Sequence, residues 1–262
     1  MKKLLACTAL LLSNSALAQT ADFVQLAPSF HLPKDVNFAV GAIVLNIPKY
    51  SGADERRFAL YPMFDAQWKN GAFLSVRNGL GYNFSKDPTL SYGIRLSWQA
   101  ARDESRSIKL RGLGDVASAI EPGAFLNFNL NQNFSLNSSL RYGSGLDHNG
   151  LQFSFGGSAT TALNPSHRLS ANLAATWSNS NYMQSYYGVN AQQAINSGYN
   201  QYSASAGISE VKLATSWHWN INNNWSLTTG ASVSRLTGDA SRSPFVFNKS
   251  PVTFFSSANY RF

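Results

Sequence analysis

From Pro251 to Phe262 the chain alternates. Val252, Phe254, Ser256, Ala258, Tyr260 and Phe262 fall on one face of an extended strand; Thr253, Phe255, Ser257, Asn259 and Arg261 fall on the other. The aromatic alternation runs to the last residue, where soluble domains usually fray. A strand of this kind needs an apolar medium or a second sheet against its apolar face. A transmembrane β-barrel supplies the first and a secreted sandwich the second. The rest of the chain has to decide between them.

The first residues read as an export signal. Lys2 and Lys3 precede an apolar run from Leu4 to Leu12, and Ala16-Leu17-Ala18 has the small-x-small cleavage pattern. Residues 1–18 are therefore expected to be removed, with the mature chain starting at Gln19. Cys7, the one cysteine, leaves with them. That excludes a disulfide framework, a cysteine metal site and a cysteine nucleophile. What remains is long enough for one large β domain or two small ones. No later stretch offers 18 consecutive apolar residues, so no membrane helix is expected. A mean hydropathy of −0.19 does not count against a barrel, whose strands show lipid only every second residue. The net charge of +8 is spread without a Lys/Arg block. This suits anionic surfaces such as outer-membrane lipid and lipopolysaccharide, and not nucleic acid.

In order, the pattern predicts a polar periplasmic arm over residues 19–36, then strands across 37–262. The first runs from Asn37 to Asn46. The second covers Phe58 to Trp68, with Pro62 as a mark against it. Lys69-Asn70-Gly71 is a hairpin turn. The third carries Leu74, Val76, Leu80 and Tyr82, and Ser85 to Pro88 turns the chain. The fourth carries Leu90 to Trp98. A fifth is expected near Ser107 to Ser118, interrupted by two glycines. The sixth follows Pro122, the seventh starts at Phe134, the eighth at Leu151 and the ninth covers Leu169 to Trp177. After a long loop from Ser178 to Asn200, the tenth is expected over Gln201 to Trp219. Its phase slips at Ser209-Glu210, as a β-bulge would make it. The eleventh starts at Trp225 and the twelfth ends the chain.

The expected fold is thus all-β: a transmembrane antiparallel β-barrel of about 12 strands, an even number. Turns at Lys69, Arg102, Asn131, Asn164 and Asn220 are expected on the periplasmic side. The longer connections at Ile47, Gly143, Ser178 and Arg235 are expected outside. Trp68, Trp98, Trp219, Trp225 and Phe262 then mark the periplasmic interface, and Trp177 the outer one.

The other face is short and polar, as in Ser135, Asn137 and Ser139. Asp65, Arg77, Arg95, Arg141 and Arg261 are expected to point into the lumen. They could filter anions, but internal pairing is the stronger reading. Catalytic patterns are missing. Asp147 and His148 are adjacent, and adjacent residues on an extended chain point apart. His31 falls in the arm, His167 beside a turn, and His218 in the lumen with a hydrogen-bonding role. No spacing suggests a metal site, a phosphate loop or a cofactor.

Several segments together resemble the MipA/OmpV family (MltA-interacting protein). They are Tyr50-Ser51-Gly52-Ala53-Asp54, Leu110-Arg111-Gly112-Leu113-Gly114-Asp115, Asn181-Tyr182-Met183-Gln184 with Tyr187-Gly188-Val189, Arg235-Leu236-Thr237-Gly238-Asp239-Ala240 with Ser243-Pro244, and the Tyr260-Arg261-Phe262 end. Arg242 stands where the family tends to carry an acid. The resemblance implies an outer-membrane barrel of a Gram-negative bacterium. For the family's namesake it implies a scaffold joining a lytic murein transglycosylase to a murein synthase. Other members resemble surface antigens or adhesins, or affect small-molecule uptake. On this resemblance Tyr50, Gly52, Asp54, Arg111, Asp115, Tyr182, Gln184, Arg235 and Asp239 are candidates for partner binding, or for shaping the loops. The expectation is a non-enzymatic scaffold, with a narrow channel or a surface antigen as the alternative.

Overall fold

The computed structural model describes residues 23–24, 26 and 35–262. The export signal, His31 and most of the arm lie outside the described residues. Twelve strands follow: β1 (Val36–Pro48), β2 (Arg56–Trp68), β3 (Ala72–Ser75), β4 (Gly79–Asn83), β5 (Leu90–Gln99), β6 (Ala119–Asn129), β7 (Phe134–Ser144), β8 (Gly150–Ala162), β9 (His167–Ser178), β10 (Gly207–Asn220), β11 (Trp225–Leu236) and β12 (Val252–Arg261). Each pairs antiparallel with its sequence neighbour, and β12 pairs with β1 to close a barrel. Closure leaves the sheet without an outermost strand, so most of its backbone groups can be satisfied in lipid.

The outward positions are apolar. Phe58, Leu60, Ile94, Ile120, Leu136, Leu173 and Phe254 are all more than half exposed. An apolar belt of that extent suits a bilayer rather than water. Among the described residues no helix is long and apolar enough to cross a membrane. The chain crosses with strands.

One end of the barrel holds the start of β1 and the finish of β12. There three connections repeat one design. Asn131 Oδ1 accepts the N–H groups of Asn133 and Phe134 at 2.8 and 2.9 Å. Asn164 does the same for Ser166 and His167, and Asn222 for Asn224 and Trp225. Asparagine side chains mimic a backbone turn in this way. At the same end Phe38 stacks on Phe262, and His167 lies against Trp217 and Trp219 on the outer wall.

Twelve strands match the expected number, but two of them differ from the reading. The stretch from Leu74 to Tyr82 is not one strand. It folds back as β3 and β4, pairing Leu74 with Leu80. Asn78 N–H bonds Ser75 Oγ at 2.8 Å and Gly79 takes φ +81°, so residues 76–78 make a tight turn. Reversal after an odd number of turn residues keeps the outward face outward, so the alternation survives the turn and hides it. Conversely, 107–118 is not a strand. Gly112 and Gly114 both have positive φ, and 3₁₀ turns occupy Glu104–Arg106 and Ile108–Leu110. A single bridge between Arg102 and Val116 is all that pairs there.

These two changes cancel in the count but not in direction. The turn after β4 joins the end carrying the termini, and the Arg102 connection joins the opposite, long-loop end. Trp98, paired with Ile120, is therefore at the same end as Trp177, not at that of Trp68, Trp219, Trp225 and Phe262. Two further differences are local. Residues 201–206 do not extend β10, while the register shift lies between Ile208 and Glu210, where the phase slip placed a bulge. Nor is the lumen wall uniformly polar. Ile43, Leu45, Ile47, Tyr61 and Phe255 form an inward apolar patch.

Candidate functional site

The distinctive feature is a folded cap over the long-loop end. Loops 49–55, 100–118, 179–206 and 237–251 build it. The third contains two helices, α1 (Ser180–Tyr187) and α2 (Ala191–Ser197). Asn179 caps α1 by accepting Tyr182 N–H, and Asn190 with Gln193 forms a capping box on α2. Apolar side chains then bury themselves in two small cores. One gathers Val116, Tyr182, Met183, Tyr187 and Leu236; the other gathers Tyr50, Leu110, Leu113, Val189 and Phe245.

The structure brings most of the motif residues together in this cap. Tyr50 Oη donates to Phe245 O at 3.0 Å. Gly52 has φ +92°, and its carbonyl accepts Phe247 N–H and Asn248 N–H. A Cβ there would lie 2.6 Å from Val246 Cγ2, so the position requires glycine. Asp54 holds Lys109 Nζ at 2.6 Å. Gly112 and Gly114 both donate to Glu104 Oε2, and Asp115 Oδ1 accepts Glu104 N–H. Tyr182 stacks on Tyr186 at 4.4 Å. Gln184 accepts Ala204 N–H, and Asp239 accepts Ser205 N–H while pairing with Arg242. Arg235 binds Ser250 Oγ on the outer face. Arg111 is exposed. The motifs thus tie four loops into one body.

Burial sets the cap's electrostatics. It raises the Tyr182 and Tyr187 phenols well above the usual tyrosine range and pushes Tyr186 up to about 12. These rings stay neutral. Arg102 is also buried, which lowers its guanidinium; it bonds Tyr186 O and Gly114 O and lies over the Phe245 ring. Hydrogen bonds from Lys109, Lys49 and Ser205 hold the carboxyls of Asp54, Glu55 and Asp239 below the usual range.

Below the cap a polar cavity of about 150 Å³ is bounded by Arg57, Gln99, Arg102, Arg141 and Lys212. Arg141 pairs with Glu121 at 2.8 Å and reaches Gln99 and Gln152. Arg95 donates to Ser139 Oγ at 2.7 Å. Further down, Asp65, Arg77 and Arg261 share another cavity with His218. Sequence reasoning placed the arginines inward but missed Glu121. Its signal was parity with Ala119, obscured because Pro122 looked like the start of the strand. His218 bonds Thr228 and Asn220, while His148 lies beside Gly143 O. Among the described residues no group of three or more metal-ligating side chains gathers.

The lumen also holds part of the N-terminal arm. Val24 packs with Phe73 and Phe125, and its carbonyl accepts Asn127 Nδ2 at 2.8 Å. Phe23, from the stretch expected as a periplasmic arm, is buried beside it. Phe73 and Phe125 fit because they lie over Gly81 and Gly93, where an added Cβ would strike each ring.

Among solved structures the chain is similar to a bacterial polysaccharide outer-membrane secretin, with 9% identity and a TM-score of 0.46 over 88% of this chain and 99% of that one. It is similar to the TodX deltaS2S3 mutant monoaromatic hydrocarbon channel, with 11% identity and a TM-score of 0.44 over 95% and 94%. It is also similar to a Pseudomonas aeruginosa FadL homologue, with 11% identity and a TM-score of 0.40 over 95% and 97%. At this level the likeness carries nothing about function. No curated protein matches the sequence. The family model described as MltA-interacting protein MipA matches residues 40–262, all of the barrel but the start of β1, and its cap. The chain belongs to the MltA-interacting protein MipA family and is an outer-membrane β-barrel.

Proposed function

We propose that this barrel is a non-enzymatic scaffold that holds a murein transglycosylase, and with it a murein synthase, at the periplasmic face of the outer membrane. The observation that carries this reading is the family match over residues 40–262, whose description names an interaction with MltA. The packing supports binding over transport. The cap closes one end with two apolar cores, and Phe23 and Val24 occupy the lumen below. The pairing of Arg141 with Glu121 also removes much of the field that an anion filter would use. The motif residues serve the scaffold by holding the cap in one shape.

In this reading the end with the Asn131, Asn164 and Asn222 turns faces the periplasm and offers exposed amides to a partner. The belt meets lipid. Exposed Arg56, Arg235 and Lys249 near the loop end meet lipopolysaccharide. A second reading, a narrow channel for small solutes, is favoured by the polar lumen cavities of about 280 and 390 Å³.

The test is a pull-down of the tagged protein from detergent-solubilised envelopes. Recovery of a murein transglycosylase or synthase is expected, with loss when the turns at 130–133, 163–166 and 221–224 are exchanged for Gly-Ser turns. Clean recovery of the barrel without any murein enzyme overturns the scaffold. Conductance in planar bilayers would then support the channel.

A further inference from the structure

The barrel wall is incomplete on one side. Only the lower parts of β2 and β5 have partners on the β3–β4 hairpin. β2 pairs β3 at Asp65–Gln67, and β5 pairs β4 at Gly93–Leu96. Above the 76–78 turn, residues 56–63 of β2 and 97–99 of β5 face each other across a notch. With two strands missing, the notch is roughly 14 Å across at its base, from the spacing of neighbouring strands.

Among the described residues no strand pairs with the backbone on either side of the notch. Val76 N–H bonds Phe64 O, and Lys69 N–H bonds Asp35 O on the β1 side. In a strand, backbone groups alternate sides, so Phe58, Leu60 and Pro62 turn theirs toward the notch with Phe64. Pro62, which counted against this strand in the sequence, sits where a missing N–H costs no ladder bond. On β5, Tyr92 O accepts Phe84 N–H, so Trp98 faces the notch by the same alternation. The loop carrying Ser107 and Lys109 bridges to Glu55 and Asp54 and roofs the opening. Phe58 and Leu60 stand exposed on its rim. In hydrocarbon, such unpaired backbone groups need acceptors and donors from whatever fills the gap.

Behind the notch lies the polar cavity, and its charges do not balance. Glu121 is taken by Arg141, Glu210 by Lys212 and Glu55 by Lys49. Arg57 and Arg102 also line it, and among the described residues neither has an ion-pair partner. Among the described residues the buried Nε of each has no hydrogen-bond partner. Arg57 is the second residue of β2, and Trp98 the last but one of β5, so the cation stands at the height of the interface aromatics.

We propose that the notch is a side door through which the phosphate headgroup of a membrane lipid enters the cavity and binds Arg57, its acyl chains remaining in the bilayer against Phe58 and Leu60. The lipid's phosphate and ester oxygens supply acceptors to the open edge of β2. The proposal rests on the barrel and not on the scaffold reading.

The full chain is purified in detergent with equal phosphatidylglycerol and phosphatidylcholine, and retained lipid is counted by native mass spectrometry. Phosphatidylglycerol, which is net negative, should be retained about tenfold over phosphatidylcholine, whose choline cation offsets its phosphate charge. Arg57→Gln should remove the preference and Arg57→Lys should keep it, both variants showing the heat-modifiable mobility of a folded barrel. A phosphatidylglycerol with a photoreactive acyl chain should label residues 56–63 or 97–99. Equal retention of the two lipids, an unchanged Arg57→Gln protein or labelling spread evenly around the belt would each overturn the proposal. So would displacement of the lipid by millimolar glycerol 3-phosphate, which would place a soluble phosphate in the cavity instead.

Discussion

Glu121 is fully buried against Arg141, which is itself nearly buried. Breaking such a pair leaves a lone buried charge and costs about 3–5 kcal/mol. Glu121→Gln should therefore lower the urea midpoint of barrel unfolding, read from heat-modifiable mobility. Adding Arg141→Gln should recover part of the loss, because the orphan charge is then gone. Gly52 gives a second residue-level test. Gly52→Ala places a Cβ against Val246 at positive φ, at a cost of about 1–3 kcal/mol. Protease should then cut the cap faster while the barrel's midpoint stays put. At this scale the sequence was legible wherever period two held. Arg95 and Arg141 were readable as inward residues. Their partners were not, because ion pairs across a barrel join residues that no local pattern connects.

Elements were legible when one alternation meant one strand. The bulge near Ser209 could be read because an extra residue changes the phase. The β3–β4 reversal could not, because its turn preserves the phase; only Asn78-Gly79 spoke for a turn. The cap could not be read as a unit either, since its two cores join four loops. It is held partly by carboxylates whose folded values lie below normal: Asp54 with Lys109, Glu55 with Lys49, and Asp239 with Ser205. A depressed carboxylate stabilises above its unfolded value of about 4 and loses that contribution as pH falls through the lower folded value. Hydrogen-exchange protection in residues 49–55 and 237–251 should therefore fall as pH drops below about 4, with that of β7–β11 unchanged. Adding salt should weaken the Asp54–Lys109 contact most, since Asp54 is exposed while Glu55 and Asp239 are half-buried. In the lumen, Phe125→Ala should release Val24 by removing the ring it packs on. A spin label at residue 24 would then gain mobility.

At the scale of the molecule, a barrel closed at one end by a cap and narrowed below by Phe23 and Val24 should conduct poorly. A chain lacking residues 23–26 should show larger single-channel conductance in planar bilayers than the full chain; equal values would mean that the cap alone sets the resistance. The asparagine turns also bear on how the barrel forms. Asn131, Asn164 and Asn222 each fix a reversal with bonds inside four residues, so the hairpins β6–β7, β8–β9 and β10–β11 can form from local chain alone. The seam between β1 and β12 joins Ala39 to Arg261 and needs almost the whole chain in hand. Hairpins should therefore zip together early, and the closing seam should set the slow step, since long-range pairing must first meet the entropy of a large loop. Until it closes, the two outermost strands are sticky. The chain's hazard during assembly lies in β1 and β12, and kinetic traps should be sought in mispairing at that seam.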